Sequence, residues 1–148
     1  MELTNPADIR ALLARHDFRF SKSMGQNFLT AAWVPSDIAD ASGADAHTGV
    51  LEVGPGIGVL TYELSQVSKK VVTIELDKRL LPVLDETLAD CDNVKVINDD
   101  VMKIDLHRVI EEEFNGEEVA VCANLPYYIT SPVIMKLLED RLPITSIT

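Results

Sequence analysis

VLEVGPGIG, residues 50–58, is a short strand pattern that runs directly into three glycines. The apolar and β-branched residues of 50–53 favour a buried strand. Gly54 permits a tight turn after this strand, Gly56 lets a ligand approach the backbone, and Gly58 brings the following helix close to the sheet. A strand, a glycine loop and a helix in this order predict an α/β protein whose ligand lies over the loop.

The spacing of these glycines distinguishes between two kinds of ligand. A dinucleotide fingerprint would have its third glycine at position 59, where this chain has Val59. The GxGxG spacing therefore favours a nucleoside ligand that carries no pyrophosphate. A tight turn that binds nothing is the alternative, because glycine loops alone are not specific.

Outward from this stretch, strand-like and helical patterns alternate along the chain. Residues 71–75, 94–97 and 119–123 have the composition of further strands, and 144–148 begins a fifth. This alternation predicts a Rossmann-like parallel sheet with helices on both faces, truncated after four to five strands. Ligands of such sheets bind beyond the carboxyl ends of the strands, which here means just after residues 53, 74, 97 and 123. The predicted helices start at Pro6 behind an Asn5 cap and then cover 34–39, 60–67, 78–89, 106–113 and 132–138.

Composition excludes several classes of protein. The chain has 148 residues, the size of one domain or part of one, and its net charge of −11 does not suit a surface that binds nucleic acid everywhere. It has neither an apolar run of about 18 residues nor a signal-peptide pattern. Cys91 and Cys122 form no CxxC pair, so we expect reduced thiols and a cytoplasmic protein. The three histidines have no ligand spacing, and no metal is expected.

Carboxylates follow the second and third predicted strands. Glu75 lies 21 residues after Gly54, where an acid can accept hydrogen bonds from both hydroxyls of a ribose. Asp100 follows the third strand and is placed to accept a hydrogen bond from an adenine amino group. The alternative for Asp100 is a helix cap, which the sequence favours about equally.

The fourth predicted strand ends in a loop that suits chemistry on a nucleobase. The exocyclic amine of a base is a poor nucleophile because its lone pair is delocalised into the ring. The side-chain oxygen of Asn124 and the carbonyl of Leu125 can accept both amino hydrogens and so localise that lone pair. Pro126 fixes the turn, and Tyr127 can stack on the base. A purely structural loop is the alternative, but it does not account for the position of these residues at the functional end of the strand.

Four segments together resemble a known family. EVGPGIG at 52–58, IELD at 74–77, NLPYYITSP at 124–132 and GQNFL at 25–29 are similar to the ribosomal RNA adenine dimethyltransferases. The resemblance covers nearly the whole chain and implies a class I methyltransferase that uses S-adenosylmethionine as methyl donor. Carried over position by position, the implied donor-binding residues are Asn27, Leu29, Gly54, Gly56, Glu75, Asp100 and Asn124, and the implied catalytic residues are Asn124, Leu125, Pro126 and Tyr127.

The resemblance also implies a substrate. Thr130-Ser131-Pro132 favours the branch that dimethylates the N6 amines of two adjacent adenosines in small-subunit (16S) ribosomal RNA, with a role in ribosome biogenesis. The partner is then the RNA of the small ribosomal subunit or its precursor. The branch that acts on large-subunit RNA and confers antibiotic resistance stays open. So do a non-catalytic RNA-binding or assembly module and, less favoured because of Val59, an NAD-dependent oxidoreductase.

Length and charge suggest how the chain is divided. We expect residues 1–30 to form a helix and a basic arm, and residues 31–148 to form a partial methyltransferase core. Because the family continues through further strands and a helical domain, we expect this chain to be a fragment with weak or no activity alone. Its fourth strand would be an exposed apolar edge, through which we expect self-association. Residues 144–148 are the alternative cover for that edge, within the chain or across a dimer.

Overall fold

The computed structural model describes residues 5–17, 33–123, 132–137 and 144–148. Within these ranges none of the helices is long and apolar enough to cross a membrane. A 3₁₀ turn at Lys78–Leu80 precedes one of the helices. The helices are α1 (Pro6–Arg15), α2 (Trp33–Ala41), α3 (Val59–Val67), α4 (Leu81–Thr87), α5 (Leu106–Phe114) and α6 (132–137), and the strands are β1 (Gly49–Val53), β2 (Lys70–Glu75), β3 (Val94–Asn98), β4 (Val119–Ala123) and β5 (Ile144–Ile147).

The five strands form one parallel sheet in the order β3-β2-β1-β4-β5. This confirms the predicted Rossmann-like class and places the glycine-loop strand at the centre. In its register, Glu52 of β1 lies between Thr73 of β2 and Cys122 of β4. All four strands that the sequence predicts before the fifth are present, with bounds within one residue of those expected.

Helices cover both faces of the sheet, as the doubly apolar strands require. One face contributes Leu51, Val72 and Val121 to a core with α5 and α6. The opposite face contributes Val50 and Val71 to a core with α2 and α3. Alternate residues of each strand therefore pack into two aliphatic layers. Because both layers are buried, the ends of the strands, from which the site loops begin, are held in place.

Helix α1 packs onto the glycine loop and α4. The Asn5 side chain accepts hydrogen bonds from the N–H groups of Ala7 (2.9 Å) and Asp8 (3.2 Å), which confirms the predicted cap. Ile9, Leu12 and Leu13 bury their side chains in a cluster that includes Ile57 of the glycine loop and Leu84 of α4. The predicted boundary at residue 30 lies outside the described residues, but α1 itself belongs to the same packed body as the loop.

The helix predicted over 78–89 is shorter and begins differently. A 3₁₀ turn at Lys78–Leu80 comes first, and the α-helix runs only over Leu81–Thr87. The physical reason lies in Pro82, which has no N–H to donate to the carbonyl of Lys78. The N–H of Leu81 donates to the carbonyl of Lys78 instead, which is the i→i+3 hydrogen bond of a 3₁₀ turn.

Strand β4 is not the exposed edge that the sequence suggested. Strand β5 of the same chain pairs with it in parallel, with Val119 opposite Ile144 and Val121 opposite Ile147. Directly after β5, the carbonyl of Thr148 accepts a hydrogen bond from the N–H of Ala123 (2.9 Å) in β4. Among the described residues, β5 is therefore the edge on this side of the sheet. Self-association through β4 stays a prediction, and it would require β5 to separate from β4.

Candidate functional site

The loops after β1, β2 and β3 meet at one edge of the sheet. Parallel strands place their carboxyl ends together, and hydrogen bonds tie the three ends to one another. The N–H of Gly54 donates to the carbonyl of Ile74 (3.0 Å), and the N–H of Asp99 donates to the carbonyl of Glu75 (3.1 Å). The predicted donor-binding residues Gly54, Gly56, Glu75 and Asp100 are thus brought to the same edge, although they are up to 46 residues apart in the sequence.

The glycine loop has a backbone that other residues rarely adopt. Gly54, Gly56 and Gly58 all have positive φ angles, of 73°, 58° and 94°. A Cβ atom on Gly58 would lie 2.9 Å from Thr87 Oγ1 and 3.3 Å from a Leu84 methyl carbon. The close approach at Gly58 is therefore to α4 and not, as the sequence suggested, to the sheet. This glycine lets the start of α3 pack directly on a neighbouring helix.

Glu75 is buried at the end of β2 with its carboxyl held by backbone N–H groups. The N–H of Asp77 donates to Glu75 Oε2 (3.0 Å), and hydrogen bonds from the N–H groups of Leu76 and Gly56 also favour the charged form. Burial is the larger effect, and it raises the pKa of Glu75 above its usual value. Because a carboxylate has about four acceptor sites, these contacts leave capacity for a ligand.

Asp100 begins the turn that follows β3 and stabilises it with its side-chain and carbonyl oxygens. Its Oδ1 accepts a hydrogen bond from the N–H of Met102 (2.9 Å), and its carbonyl accepts from the N–H groups of Lys103 and Ile104 (2.9 Å each). These bonds close a turn and do not cap a helix, because the helix that follows, Leu106–Phe114, has Asp105 as its cap, so the helix-cap alternative is not what the structure shows. Its predicted contact with an adenine amino group stays a prediction, and the half-exposed carboxyl is at the right edge for it.

Two exposed apolar side chains flank these carboxylates, and the sequence reasoning missed both. Leu76, directly after Glu75, is 67% exposed, and Met102, two residues after Asp100, is 44% exposed. Large apolar side chains beside a polar site are suited to the faces of a planar base. Their position immediately after the strand-end acids was a signal that the sequence offered.

The charge of this edge is negative. Glu75, Asp99 and Asp100 lie at the ends of β2 and β3, and Asp77 follows. Of these, Asp77 is paired with Arg79 (2.6 Å), whose hydrogen bond lowers the pKa of the Asp77 carboxyl. An edge with several carboxylates attracts a cationic ligand and repels a pyrophosphate.

Glu52 is a buried carboxyl behind the glycine loop and was not predicted to have a role. It is 1% exposed and accepts hydrogen bonds from the hydroxyls of Thr61 in α3 and Thr73 in β2, the second at 2.8 Å. Its Oε2 has no hydrogen-bond partner within the described part of the chain. Burial raises the pKa of Glu52 to about 7. This acid joins β1, β2 and the first turn of α3 beneath the site.

Several predicted site residues lie outside the described residues. They are Asn27, Leu29, Asn124, Leu125, Pro126 and Tyr127. Helix α6, which follows in the sequence, is anchored near the site: Lys136 Nζ donates to the carbonyls of Val101 (2.5 Å) and Ile104 (3.0 Å). Ala123 at the end of β4 is placed by its pairing with Val53 of β1. The segments on both sides of 124–131 are thus attached to the edge that carries Glu75 and Asp100.

Comparison with curated proteins finds close relatives. One is the ribosomal RNA small subunit methyltransferase A of Shouchella clausii (strain KSM-K16), which is 50% identical over 148 residues and matches 99% of this chain. The match covers 50% of that protein. The chain therefore spans about half the length of the curated relatives that it matches.

Solved structures agree with this relationship. The 23S rRNA methyltransferase ErmE superposes with a TM-score of 0.64 at 31% identity, over 76% of this chain and 42% of its own. A dimethyladenosine transferase from Plasmodium falciparum superposes with a TM-score of 0.59 at 30% identity, over 74% of this chain and 37% of its own. The family model for ribosomal RNA adenine dimethylase matches residues 17–148. With its sheet order, its glycine loop and these similarities, the chain belongs to the ribosomal RNA adenine dimethylase family.

Proposed function

We propose that this chain is the part of a small-subunit ribosomal RNA adenine dimethyltransferase that binds S-adenosylmethionine. One observation carries the proposal: the N–H of Gly54 in the glycine loop donates to the carbonyl of Ile74, directly before Glu75, in a chain that belongs to this family. A backbone turn and a carboxylate at the same edge of the sheet form the two halves of a site for a nucleoside. The methyl group would come from the cationic sulfur of the donor.

The described residues fit such a donor on three counts. Glu75 has acceptor capacity for the two ribose hydroxyls, and Gly54 and Gly56, whose φ angles are positive, leave the loop backbone without side chains. Leu76 and Met102 offer apolar surface for the faces of the adenine. The negative edge favours a ligand with a positive sulfonium and disfavours NAD, whose pyrophosphate is anionic. This last point supports the proposal over the oxidoreductase alternative.

The target base would be held by the loop that follows β4. Asn124 and the carbonyl of Leu125 would accept the hydrogens of the exocyclic amine, while Pro126 fixes the turn and Tyr127 stacks on the base. We propose that the adenine is first taken out of its stack, as enzymes that modify bases require. The support for these roles is the sequence, together with the anchoring of Ala123 and α6 at the donor edge.

The substrate that we propose is small-subunit ribosomal RNA, methylated at the N6 amines of two adjacent adenosines. Curated relatives at about half identity carry the small-subunit name, whereas ErmE, named for 23S rRNA, is 31% identical. Sequence distance therefore favours the small-subunit branch over the large-subunit one. The proposed partner is the RNA of the small subunit or its precursor, which implies a cytoplasmic protein.

Calorimetry on the 148-residue chain tests the donor site. We expect saturable 1:1 binding of S-adenosylmethionine and S-adenosylhomocysteine, and no binding of NAD at the same concentrations. Binding of NAD alone would support the oxidoreductase alternative. Binding of small-subunit RNA without either nucleoside would support the non-catalytic module and contradict the proposal.

A further inference from the structure

We propose that Asn98 is a positioning residue of the donor site, holding the main chain at Glu75 and Leu76 in the geometry that a ribose and a base require. This inference rests on the proposed function, because it takes the edge of β2 to be where the donor binds. It gives a role to the first residue of Asn98-Asp99-Asp100, which the sequence reasoning passed over in favour of Asp100. Asn98 acts through other residues and is not itself proposed to contact the donor.

The contacts of Asn98 are directed at the two residues that the donor would use. Its Nδ2 donates to the carbonyl of Glu75 (2.8 Å) and to the carbonyl of Leu76 (3.2 Å). The carbonyl of Glu75 also accepts from the N–H of Asp99 (3.1 Å). The Asn98 side chain therefore continues the β2–β3 pairing past its last registered pair, Glu75 opposite Asn98.

This support bears mainly on Leu76, because Glu75 is also held by the N–H groups of Asp99 and Asp77. Leu76 is 67% exposed, so its side chain contributes little packing to fix its own backbone. The peptide between Glu75 and Leu76 links the two side chains that the proposed donor would contact, the carboxyl of Glu75 and the apolar side chain of Leu76. With the amide in place, that peptide is oriented before a ligand arrives, and the cost of ordering it on binding is avoided.

A second asparagine, Asn93, lies just before the other end of β3 and provides a matched control. Asn93 precedes β3, and its Nδ2 donates to the carbonyls of Ser65 (2.9 Å) and Ser68 (3.2 Å). It thus makes the same kind and number of contacts as Asn98. It makes them at the opposite end of the strand, away from the carboxyl ends. If Asn98 only stabilised the fold, substituting either asparagine would have a similar effect on binding. If Asn98 positions the donor site, only its substitution would weaken binding.

The experiment compares Asn98→Ala and Asn98→Asp with Asn93→Ala and Asn93→Asp in the 148-residue chain. Calorimetry measures the affinity for S-adenosylhomocysteine and for its 2′-deoxy analogue, and thermal unfolding measures stability. Wild type should prefer the ribose form, because Glu75 accepts from its hydroxyls. We expect both Asn98 variants to bind S-adenosylhomocysteine roughly tenfold more weakly and to lose most of the preference for ribose over 2′-deoxyribose. Both Asn93 variants should keep affinity and preference, whatever they lose in melting temperature.

Three results would decide against Asn98, and one against the site itself. Equal loss of affinity in the Asn98 and Asn93 variants would make the effect one of stability. Weaker binding by the Asn98 variants with an unchanged ribose preference would show that Glu75 is positioned without Asn98. Unfolding of both Asn98 variants while both Asn93 variants fold would make Asn98 a residue of the fold. If wild type bound no S-adenosylhomocysteine, the proposed function would fail before the role of Asn98 arose.

Discussion

At the scale of single residues, two glutamates on the same face of the sheet have different surroundings. Glu52 pairs in register with Thr73, and Glu75 lies two residues further along β2. Glu52 accepts from side-chain hydroxyls and is almost fully enclosed, whereas the Glu75 carboxyl accepts from backbone N–H groups at the sheet edge. The negative charge of Glu75 also raises the pKa of Glu52. Burial raises the pKa of both carboxyls, and Glu52 is the more fully enclosed of the two.

Replacing Glu75 by glutamine should weaken donor binding. The substitution keeps the shape but removes the charge, so the ribose hydroxyls lose a charged acceptor worth roughly 1–3 kcal/mol, or about five- to 150-fold in Kd. Calorimetry with S-adenosylmethionine measures the change. Glu112→Gln, which removes the exposed partner of Arg108 on α5, is the control and should bind normally. Unchanged affinity in Glu75→Gln would remove Glu75 from the site.

Replacing Glu52 by glutamine should reduce the dependence of stability on pH. The pKa of Glu52 is about 7 in the folded chain against an ordinary value of 4.5. Between these pH values the folded state binds more protons than the unfolded state, so stability falls as pH rises. By the linkage relation this loss approaches roughly 3 kcal/mol above pH 7, and a glutamine at position 52 cannot incur it.

Urea unfolding of wild type and Glu52→Gln at pH 5 and pH 8 measures this effect. The free energy of unfolding of Glu52→Gln, relative to that of wild type, should increase as the pH rises. Glu112→Gln, at an exposed position of α5 paired with Arg108, should follow the wild-type profile. If Glu52→Gln and wild type lost the same stability over this range, Glu52 would not be the titrating group.

At the scale of secondary-structure elements, the glycine loop is defined by helices as much as by the sheet. Ile57 is buried with Leu12 of α1 and Leu84 of α4, and Gly58 abuts the same part of α4. The loop is therefore supported from below by elements that precede and follow it in the chain. Arg15 and His16 at the end of α1 both contact Glu86 of α4 (3.1 Å each), which holds α1 against this support.

Gly58→Ala should destabilise the chain more than Gly43→Ala. Both glycines have positive φ angles, 94° and 72°, so either alanine incurs about 1 kcal/mol of backbone strain. A Cβ at Gly43 meets nothing within 4 Å, whereas one at Gly58 would lie 2.9 Å from Thr87 Oγ1. Overpacking should add about 1–3 kcal/mol at Gly58. Urea denaturation of the two variants measures the difference, and equal losses would show that α4 yields without cost.

At the scale of the whole molecule, the order β3-β2-β1-β4-β5 puts the apolar strand β4 inside the sheet. Strand β5 covers it despite a register irregularity between Val119 and Ala120. Ile147 of the outer strand is 41% exposed, whereas Val119 and Val121 of β4, which pair with that strand, are buried. The proposed self-association of the chain therefore depends on how firmly β5 stays paired.

Removing residues 144–148 should promote self-association. The shortened chain would expose the unpaired backbone and apolar side chains of β4, which invite pairing with another chain. Light scattering should give a mass near 16.3 kDa for the 148-residue chain at low concentration and dimers or larger species for the shortened one. Circular dichroism checks that the shortened chain stays folded. A monomeric, folded shortened chain would show that β4 needs no cover.

Local patterns were enough to predict much of this protein. The β-branched strands, the glycine loop and the Asn5 cap depend on residues near one another in the chain, so the parallel sheet and its active edge could be inferred before any contact was known. Gly54 and Glu75 could be placed for the same reason, since each directly follows a strand. Gly56 and Asp100 were inferred in the same way, whereas Asn27, Leu29 and the donor contact of Asn124 came only from resemblance to the family.

What only the tertiary structure decided are contacts between residues distant in sequence. The burial of Glu52 between Thr61 and Thr73, the approach of Gly58 to α4, and the hold of Asn98 on Glu75 and Leu76 each join two or more elements. No periodicity of a single segment reports such contacts, because they depend on how the helices and strands pack. Strand β5 shows the same limit: its composition predicted a strand, but only the assembled sheet determined that it covers β4 in its own chain.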